Sequence, residues 1–496
     1  MGAMIPRSGS DRRVGLVTTF HFYATFAFWV VIVLNGRSAV GFGTPPAMDQ
    51  LEFELRRPIR IETLLEILAD RPHRLRFLAV CAAGELGPDA KAVIPQLIAA
   101  LDDEDWIIRS NAAHALGQMG ASAATAVPSL IKSLADEKKN VCCHAAVALG
   151  AIGSAAEAAI PALIVRVSDT DEADDQGDAA ACNAAEALGK FCRTAKDALP
   201  VLVANLNDDG RSHFARRYVA SALGRIARAG DLPAVAALRR AACLDAGIVE
   251  GEATNEEAGT RIAAALALWK VSHEPQVIPW LMAAVKDGTL RGYIREQSLK
   301  AIGEIGPDAS AAVAILISLA TDKSKGRAGD SYLTLAAIEA LGKIGVNAKG
   351  AVPMLLTLHD NDGRVSQAAA EALGEIGPAA NSAIPALVEA LSARDDRTRV
   401  SAAVAIRKIG GDVICTIPVL DNALAVSEIW CYWSKFAGLR LGADLRRRAA
   451  DALGELGPVA KAGVPGLKAA LKDDFVTVRD AAQDALRRIE GSPEAP

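Results

Sequence analysis

A short motif that recurs twelve times is the feature that most restricts the fold of this chain. The motif is centred on Ala-Leu-Gly, as in AAHALGQMG at 112–120 and AADALGELGP at 449–458. Its third position, used as the anchor of each repeat, falls at 84, 117, 150, 189, 224, 269, 303, 342, 374, 407, 454 and 487, with Trp269, Arg407 and Arg487 in place of glycine. Self-similarity at this period predicts a stack of repeats, in which no unit buries its apolar face alone.

Each repeat is predicted to contain two antiparallel helices, A and B. Apolar residues recur at intervals of three and four on both sides of a polar turn. A proline lies 11 residues after most anchors, as at Pro95 and Pro353, and marks the first turn of helix A. Apolar residues make up 51% of the chain but aromatics only 4%, so alanine-rich helices are favoured. The predicted fold is all-α, a right-handed α-solenoid of about twelve two-helix repeats over residues 58–490.

The repeat resembles a known family. The pattern AVPxLIxxLxD, followed by VRxxAAxALGxIGP, occurs in variants such as Ala126 to Asp136 and Val478 to Arg487. It is similar to HEAT repeats of the short kind named after phycobilisome lyases, the PBS lyase HEAT-like repeats. The resemblance extends over about 430 of the 496 residues. It implies the solenoid fold but not one function, because such repeats occur in chromophore lyase partners and in scaffolds alike.

The amino-terminal region predicts one membrane span. Val14 to Leu34 is a run of 21 residues without Asp, Glu, Lys or Arg, long enough to cross a bilayer as a helix. Three arginines precede it and only Arg37 follows closely, so residues 1–13 are expected to be a cytoplasmic tail and the solenoid to be extracytoplasmic. Residues 35–57 are a linker and 491–496 a tail. Two alternatives are a cleaved secretory signal and a soluble protein that starts at Met48.

An arginine recurs eight residues before the anchor and is interpreted as a structural ladder. Each arginine is expected to pair with aspartates in the A–B turn of its own or the next repeat. A catalytic or anion-binding row is the alternative. The ladder comprises Arg76, Arg109, Arg216, Arg261, Arg295, Arg399, Arg446 and Arg479.

Four insertions distinguish the repeats from one another. The spacing from proline to next anchor is 22 residues in plain repeats but 28 or 36 in four others, which places every large insertion between helices A and B. Such turns share one edge of a solenoid, a candidate binding surface. The first insertion is acidic but lacks the glycine and glutamate of an EF-hand loop. The fourth contains Trp430, Tyr432, Trp433 and Phe436, which are candidate interface anchors or, alternatively, the core of a small extra helix.

A second candidate surface is the arginine-rich fifth repeat. Its candidate partner-binding residues are Arg211, Arg217, Arg225 and Arg228. They suit an acidic or phosphate-bearing partner, or form an ordinary solvated surface. Further along the chain, the residue three positions before the anchor is acidic in four repeats, at Glu339, Glu371, Asp451 and Asp484. A formal net charge of −5 argues against general attraction to nucleic acid.

Enzyme signatures are sparse in the sequence. It contains no glycine-rich phosphate loop, GxSxG elbow or CxxC pair. Only His273 is followed by glutamate, so the repeated His-Glu pairs of deoxyhypusine hydroxylase-like enzymes are missing. His114 and Cys143-His144 lie in adjacent repeats and form either a soft metal site or metal-free side chains. Eight cysteines lack disulfide spacing and are expected to act as small buried apolar groups.

The sequence therefore favours a non-enzymatic, membrane-anchored scaffold that binds partner proteins through its concave face and insertion-bearing edge. No catalytic residue, metal or cofactor is expected. One alternative is a bilin-lyase-like protein that handles a chromophore or cofactor. Another is a binder of anionic ligands or nucleic acid through the fifth repeat.

Overall fold

The computed structural model describes residues 61–70, 73–168, 175–244, 255–321, 331–358, 363–426, 435–473 and 475–491. They form two compact units, one within residues 61–159 and the other within 160–426 and 437–491. The predicted span 14–34, the linker 35–57 and the aromatic residues Trp430, Tyr432 and Trp433 lie outside the described residues. Phe436 belongs to a described helix, but its side chain does not belong to the described part.

The first unit contains three A–B pairs in its described residues. The helices are α1 (Ile61–Asp70), α2 (His73–Leu86), α3 (Ile94–Ala100), α4 (Trp106–Gln118), α5 (Val127–Ser133) and α6 (Lys139–Ile152). Odd numbers are A helices and even numbers are B helices, here and below. Each B helix packs on the B helix of the next repeat, α2 on α4 and α4 on α6.

The second unit continues the same alternation through nine A–B pairs in its described residues. The helices are α7 (Ile160–Ser168), α8 (Asp175–Lys190), α9 (Leu199–Asn207), α10 (His213–Ile226), α11 (Leu232–Ala242), α12 (Asn255–Ser272), α13 (Val277–Lys286), α14 (Gly292–Ile305), α15 (Val313–Thr321), α16 (Ser331–Ile344), α17 (Val352–Thr357), α18 (Gly363–Ile376), α19 (Ile384–Ala390), α20 (Asp396–Ile409), α21 (Ile417–Ala423), α22 (Lys435–Leu456), α23 (Val464–Ala470) and α24 (Val476–Glu490). The described residues of both units are thus all-α and solenoid-like, as predicted. All four insertions fall between an A helix and the following B helix.

A short 3₁₀ segment that the sequence pattern did not reveal joins most B helices to the next A helix. Typical examples are Gly87–Val93, Gly306–Ala312 and Gly457–Gly463. Each begins at a glycine with positive φ, such as +56° at Gly87. Cys192 occupies the same position with φ +52°, a left-handed conformation that glycine adopts at lower cost.

Two leucine-type positions form the core of each repeat. One lies two residues after the helix-A proline and the other lies one residue before the anchor of helix B. Leu97 and Leu116 are fully buried at these positions in the first unit, and Leu202 and Leu223 in the second. Burying each such side chain stabilises the fold by roughly 1.5–3 kcal/mol relative to leaving it exposed.

The anchor glycine is the point of closest approach between consecutive B helices. A Cβ added to Gly117 would lie 3.0 Å from the Cα of Ala148, and one added to Gly224 would lie 2.8 Å from the Cα of Ala267. The alanine is always the residue two before the next anchor. Alanine at this position therefore allows consecutive B helices to approach closely, and it contacts the anchor of the preceding repeat.

The acidic residues near the A–B turns have two different roles. Asp105, Ser212 and Asp395 accept the N-cap hydrogen bonds of their helices. Asp136 and Asp473 are not the N-cap residues and instead accept a hydrogen bond from the N–H two residues further along, at Lys138 and Phe475. These tight Asx turns leave the rest of each carboxylate available to an arginine.

The seven cysteines in the described residues have different environments. Cys142, Cys143 and Cys182 are buried, in agreement with the prediction, whereas Cys192 and Cys415 are exposed. Two helical runs, Lys139–Ser168 and Gly292–Thr321, are long and apolar enough to resemble membrane spans by composition. Each consists of a B helix, a 3₁₀ segment and an A helix, and turns at Gly153 or Gly306, which have positive φ. Both runs therefore belong to the repeats.

Candidate partner-binding surface

Helix α10 of the second unit exposes a strip of aromatic and basic side chains, called here the α10 strip: Phe214, Arg217, Tyr218, Ser221 and Arg225. Ser212 caps the helix, and Thr260 of α12 donates a hydrogen bond of 2.7 Å to the His213 carbonyl. These two bonds fix the first turn of α10 against α12. The strip is therefore presented by a rigid element, although Phe214 remains 50% exposed.

Arg217 lies across the two aromatic rings of the strip. Its guanidinium carbon is 5.0 Å from the centroid of Phe214 and 5.6 Å from that of Tyr218. Cation–π contacts at such distances contribute about 0.5–1 kcal/mol at exposed sites. Within the described residues, this guanidinium forms no hydrogen bond or ion pair. Arg217 is thus held in place while its N–H groups stay available.

Arg225 borders a shallow cavity between α8 and α10. The cavity has a volume of about 120 Å³ and is lined by Glu186, Gly189, Tyr218, Ser221, Ala222 and Arg225. The Cδ of Arg225 packs over Gly189, 3.4 Å from where a Cβ would stand. Glu186 forms an ion pair of 3.3 Å with Lys190 instead of with Arg225. Arg225 also lacks an ion-pair partner among the described residues.

A buried glycine adjoins the other side of the strip. Position 259, ten residues before its anchor, is glycine, where α10 has Phe214 and α14 has Tyr293. A Cβ on Gly259 would lie 3.8 Å from the Arg217 stem and 3.7 Å from Gln297. Tyr293, on the far side of α12, is 40% exposed. At this aligned position α10 and α14 therefore expose an aromatic ring, and the intervening α12 has a glycine.

The other arginines of the fifth repeat are engaged in contacts within the chain. Arg211 donates to the Val167 carbonyl and Arg216 to the Leu206 carbonyl. Arg239 pairs with Glu274, and Arg240 bonds to Asn207. Arg228 is exposed, and it is bound through its backbone: its N–H donates to the Asp231 carboxylate and its carbonyl accepts from the Asp231 N–H. The sequence could not separate these residues from Arg217 and Arg225, because charge alone does not show which arginines are already paired.

The acidic residues toward the carboxyl end are largely compensated. Arg448 lies 2.7 Å from Glu371, and Ser401 donates to the same carboxylate at 2.9 Å. Asp451 pairs with Arg447 at 2.8 Å and Asp484 with Arg487 at 2.9 Å. The expected acidic face is therefore weaker than the sequence indicates, although Glu339 is exposed.

The arginines of the ladder bind the A–B turns, and three of them reach the next repeat. Arg76 lies 3.1 Å from Asp103, Arg109 2.7 Å from Asp136 and Arg446 2.6 Å from Asp473. In each case the aspartate belongs to the turn of the following repeat. These pairs connect neighbouring repeats side by side.

The remaining ladder arginines bind within their own repeat. Arg295 donates to the Val285 carbonyl, Arg399 to Ala393 and Arg479 to Asp473, all at 2.8 Å. Arg261 pairs with Glu257 of its own helix. Arg216 adds an ion pair with Asp209 to its carbonyl contact. These contacts hold the turns and leave little of the row for an external anion.

The Arg109–Asp136 ion pair shifts the pKa of both side chains. Burial alone would raise the pKa of Asp136, but two Arg109 hydrogen bonds, the Lys138 N–H and both positive charges lower it below its ordinary value. The hydrogen bond to Asp136 in turn raises the pKa of Arg109. The stabilisation by Asp136 is fully present above an unfolded pKa near 3.8 and is lost as the pH falls through the lower folded value.

His114 and His144 meet in the first unit, but without the cysteine of the metal hypothesis. Their ring centroids are 5.2 Å apart. Ser110 bonds to Nδ1 of His144 at 2.7 Å, and Gln118 to Nε2 of His114 at 2.8 Å. In the described residues, no three His, Cys, Asp or Glu side chains lie close enough to hold a metal ion.

Acid is expected to weaken the first unit through His144. Burial, and then the neighbouring His114, lower the pKa of His144 to about 4. The unfolded chain binds this proton near pH 6.5 and the folded chain only near pH 4, so stability falls as the pH drops between these values. Since the ring is partly accessible, the expected loss is about 2 kcal/mol. Urea unfolding measured from pH 7 to 4 checks it. His144→Leu should flatten the slope in this window, and an unchanged slope would contradict the assignment.

Family models match three stretches of the chain. The model for HEAT repeats matches residues 61–127 and 326–407, and the model for the PBS lyase HEAT-like repeat matches residues 445–473. A search of curated proteins gives no match.

Solved structures with a similar fold include yeast importin-β (Kap95p), at 12% identity, with a TM-score of 0.50 over 93% of this chain and 73% of that one. An engineered protein is 21% identical, with a TM-score of 0.30 over 87% and 99% of the two chains. The CpcE–CpcF complex of phycocyanin lyase from Nostoc sp. PCC7120 is 21% identical, with a TM-score of 0.35 over 64% and 98%. At these identities the likeness concerns the fold alone, and of these three structures only importin-β has a TM-score that supports it. With its matching repeats and alternating helix pairs, the chain is a HEAT-repeat protein that includes a repeat of the PBS lyase HEAT-like kind.

Proposed function

We propose that this protein is a membrane-anchored scaffold that binds a partner protein through the exposed side of its B helices. The α10 strip is the observation that carries the proposal. It combines arginine and aromatic side chains, the residue types most enriched among binding hot spots, on a helix fixed by its neighbours. Elsewhere in the described residues, the arginines of the ladder and most of the fifth-repeat arginines serve contacts within the chain.

The mechanism is binding without chemistry. A stack of rigid repeats presents side chains from successive B helices at fixed spacing. The surface therefore loses little conformational entropy when a partner binds. Phe214, Tyr218 and Tyr293 supply apolar area, and Arg217 and Arg225 supply charge. The insertion-bearing edge, with Trp430, Tyr432, Trp433 and Phe436, is a second proposed contact region.

Native mass spectrometry of the detergent-solubilised full chain, with an absorbance spectrum of the same sample, tests this function. A co-purifying protein that is lost from the Phe214→Ala/Arg217→Gln variant, but kept by Arg240→Gln, is the expected result. Arg240 is the matched control because its side chain bonds to Asn207 away from the strip. A bound pigment without a protein partner would contradict the proposal and favour the lyase-like alternative.

The membrane anchor is part of the proposal and rests on the uncharged run 14–34 and its flanking arginines. Such a run spans the hydrocarbon layer as a helix, and the arginine bias keeps its amino end in the cytoplasm. We expect the full chain to stay with membranes after alkaline carbonate washing and a variant without 14–34 to be released. Release of both would contradict the anchor without bearing on partner binding.

A further inference from the structure

We propose that the α10 strip takes a short extended acidic segment of a partner protein, with two carboxylates and one apolar side chain on the same face. This inference rests on the proposed function and names the chemistry of the partner. It is carried by the placement of Arg217, Arg225 and Phe214 on one helix and by the contacts around them.

Charge complementarity selects an acidic ligand. Both strip arginines lack an ion-pair partner in the part of the chain that the structure describes, whereas Arg216 and Arg239 beside them are paired. The nearest carboxylate lining the cavity, Glu186, pairs with Lys190. The strip therefore presents two uncompensated positive charges with no negative charge of its own. Guanidinium groups bind carboxylates through two parallel hydrogen bonds.

The contacts of both arginines reduce the entropic cost of binding. Arg217 stacks on Phe214 and Tyr218, and Arg225 packs its stem over Gly189 beside the cavity. A side chain that is already confined loses less rotamer entropy when it binds a ligand. Among the described residues, the exposed side chain of Arg228 has neither an aromatic ring to stack on nor a packed stem, and this distinguishes it from the two strip arginines.

The spacing of the strip predicts the spacing in the ligand. Arg217 and Arg225 are eight residues apart on α10, which corresponds to about 12 Å along the helix. An extended peptide advances about 3.3 Å per residue and places every second side chain on one face, so carboxylates about four positions apart match both arginines. Phe214 lies about 4.5 Å beyond Arg217 along the axis. An apolar side chain about two positions beyond the first carboxylate would cover it.

A designed peptide tests this specificity in fluorescence anisotropy titrations of the full chain. The probe is a fluorescein-labelled peptide with one phenylalanine, a glutamate about two positions away and a second glutamate about four positions further, in an otherwise Ser/Gly sequence. Saturable binding is expected, weakened at least tenfold by Arg217→Gln or Arg225→Gln and at least fivefold by Phe214→Ala. The matched control Arg228→Gln removes the same charge from an exposed residue two positions beyond the end of α10 and should change affinity less than twofold.

Several outcomes would overturn the inference. Equal binding of a probe with glutamine in place of both glutamates would exclude carboxylate recognition. An equal loss of affinity with Arg228→Gln would show that binding depends on net charge alone. Tighter binding of a single-stranded oligonucleotide, lost with the same strip variants, would favour a nucleic acid. If the probe fails to bind while mass spectrometry still finds a strip-dependent protein, this inference is wrong and the proposed function stands. Circular dichroism of each variant confirms that the helices are retained.

Discussion

Replacing Arg446 by alanine is expected to lower the free energy of unfolding of the carboxyl-terminal repeats by about 3–5 kcal/mol, the usual cost of leaving one partner of a buried ion pair alone. Arg446 and Asp473 are only 8% and 9% exposed, and their two hydrogen bonds measure 2.6 and 3.0 Å. The same guanidinium donates to the Val426 carbonyl and faces the Phe475 ring. Its loss removes a link from α22 to the turn before α24, together with a carbonyl contact. Urea unfolding measures the change.

The control for this prediction is Arg487→Ala. Arg487 and Asp484 form an ion pair of similar length, 2.9 Å, but are 58% and 59% exposed. Such surface pairs contribute about 0–1 kcal/mol. A double-mutant cycle with Asp473→Ala should give a large coupling energy for Arg446. Equal effects of Arg446→Ala and Arg487→Ala would show that the inter-repeat link is not structural.

Replacing Gly224 by valine is expected to lower the free energy of unfolding by about 3 kcal/mol, because the helix interface becomes overpacked. In an exposed helix, removing a glycine would stabilise the protein, so helix propensity predicts the opposite sign. The added Cβ would lie 2.8 Å from the Cα of Ala267. This is a backbone atom, so a change of side-chain rotamer cannot relieve the clash. Differential scanning calorimetry and urea unfolding report the loss.

A matched pair of variants separates overpacking from propensity. Gly350→Ala meets no atom within 4 Å and should be nearly neutral. Gly224→Ala should destabilise less than valine, and adding Ala267→Gly should recover part of the loss because it removes the opposing methyl group. Stabilisation by Gly224→Ala alone would show that α10 and α12 do not pack at the anchor.

Much of the fold follows from the repeat itself. Every anchor glycine or its replacement lies within a B helix or at its end, where the glycines allow close approach of the next B helix. Pro95 and its equivalents lie in the first turn of A helices, a position that proline tolerates. The 3₁₀ segments escaped prediction since their sequences, such as GPDAKAV, lack the apolar spacing that distinguishes helices. Sequence alone also does not separate the cap Asp105 from the Asx-turn residue Asp136, because both are aspartates near the start of a B helix.

The candidate site was only partly predictable. The sequence pointed to Arg217 and Arg225 within an arginine-rich repeat but gave equal weight to Arg211, which binds the Val167 carbonyl. Whether an arginine is already paired can depend on a residue more than forty positions away in the sequence, as for Arg211 and Val167. Local sequence patterns do not show such contacts. Phe214 and Gly259 were missed altogether. The signal that could have found them is the aligned position ten before each anchor, which reads Phe214, Gly259 and Tyr293 in successive repeats.

Site-specific photo-crosslinking tests the central claim most directly. A benzoylphenylalanine at position 221, at the centre of the α10 strip, is compared with one at position 388, where Val388 is 43% exposed on the A helix α19. Irradiation of cells that produce the full chain should give a discrete protein adduct from position 221, reduced by Arg217→Gln, and no such adduct from position 388. Adducts of the same identity and yield from both positions, or none from position 221, would contradict partner binding through the strip.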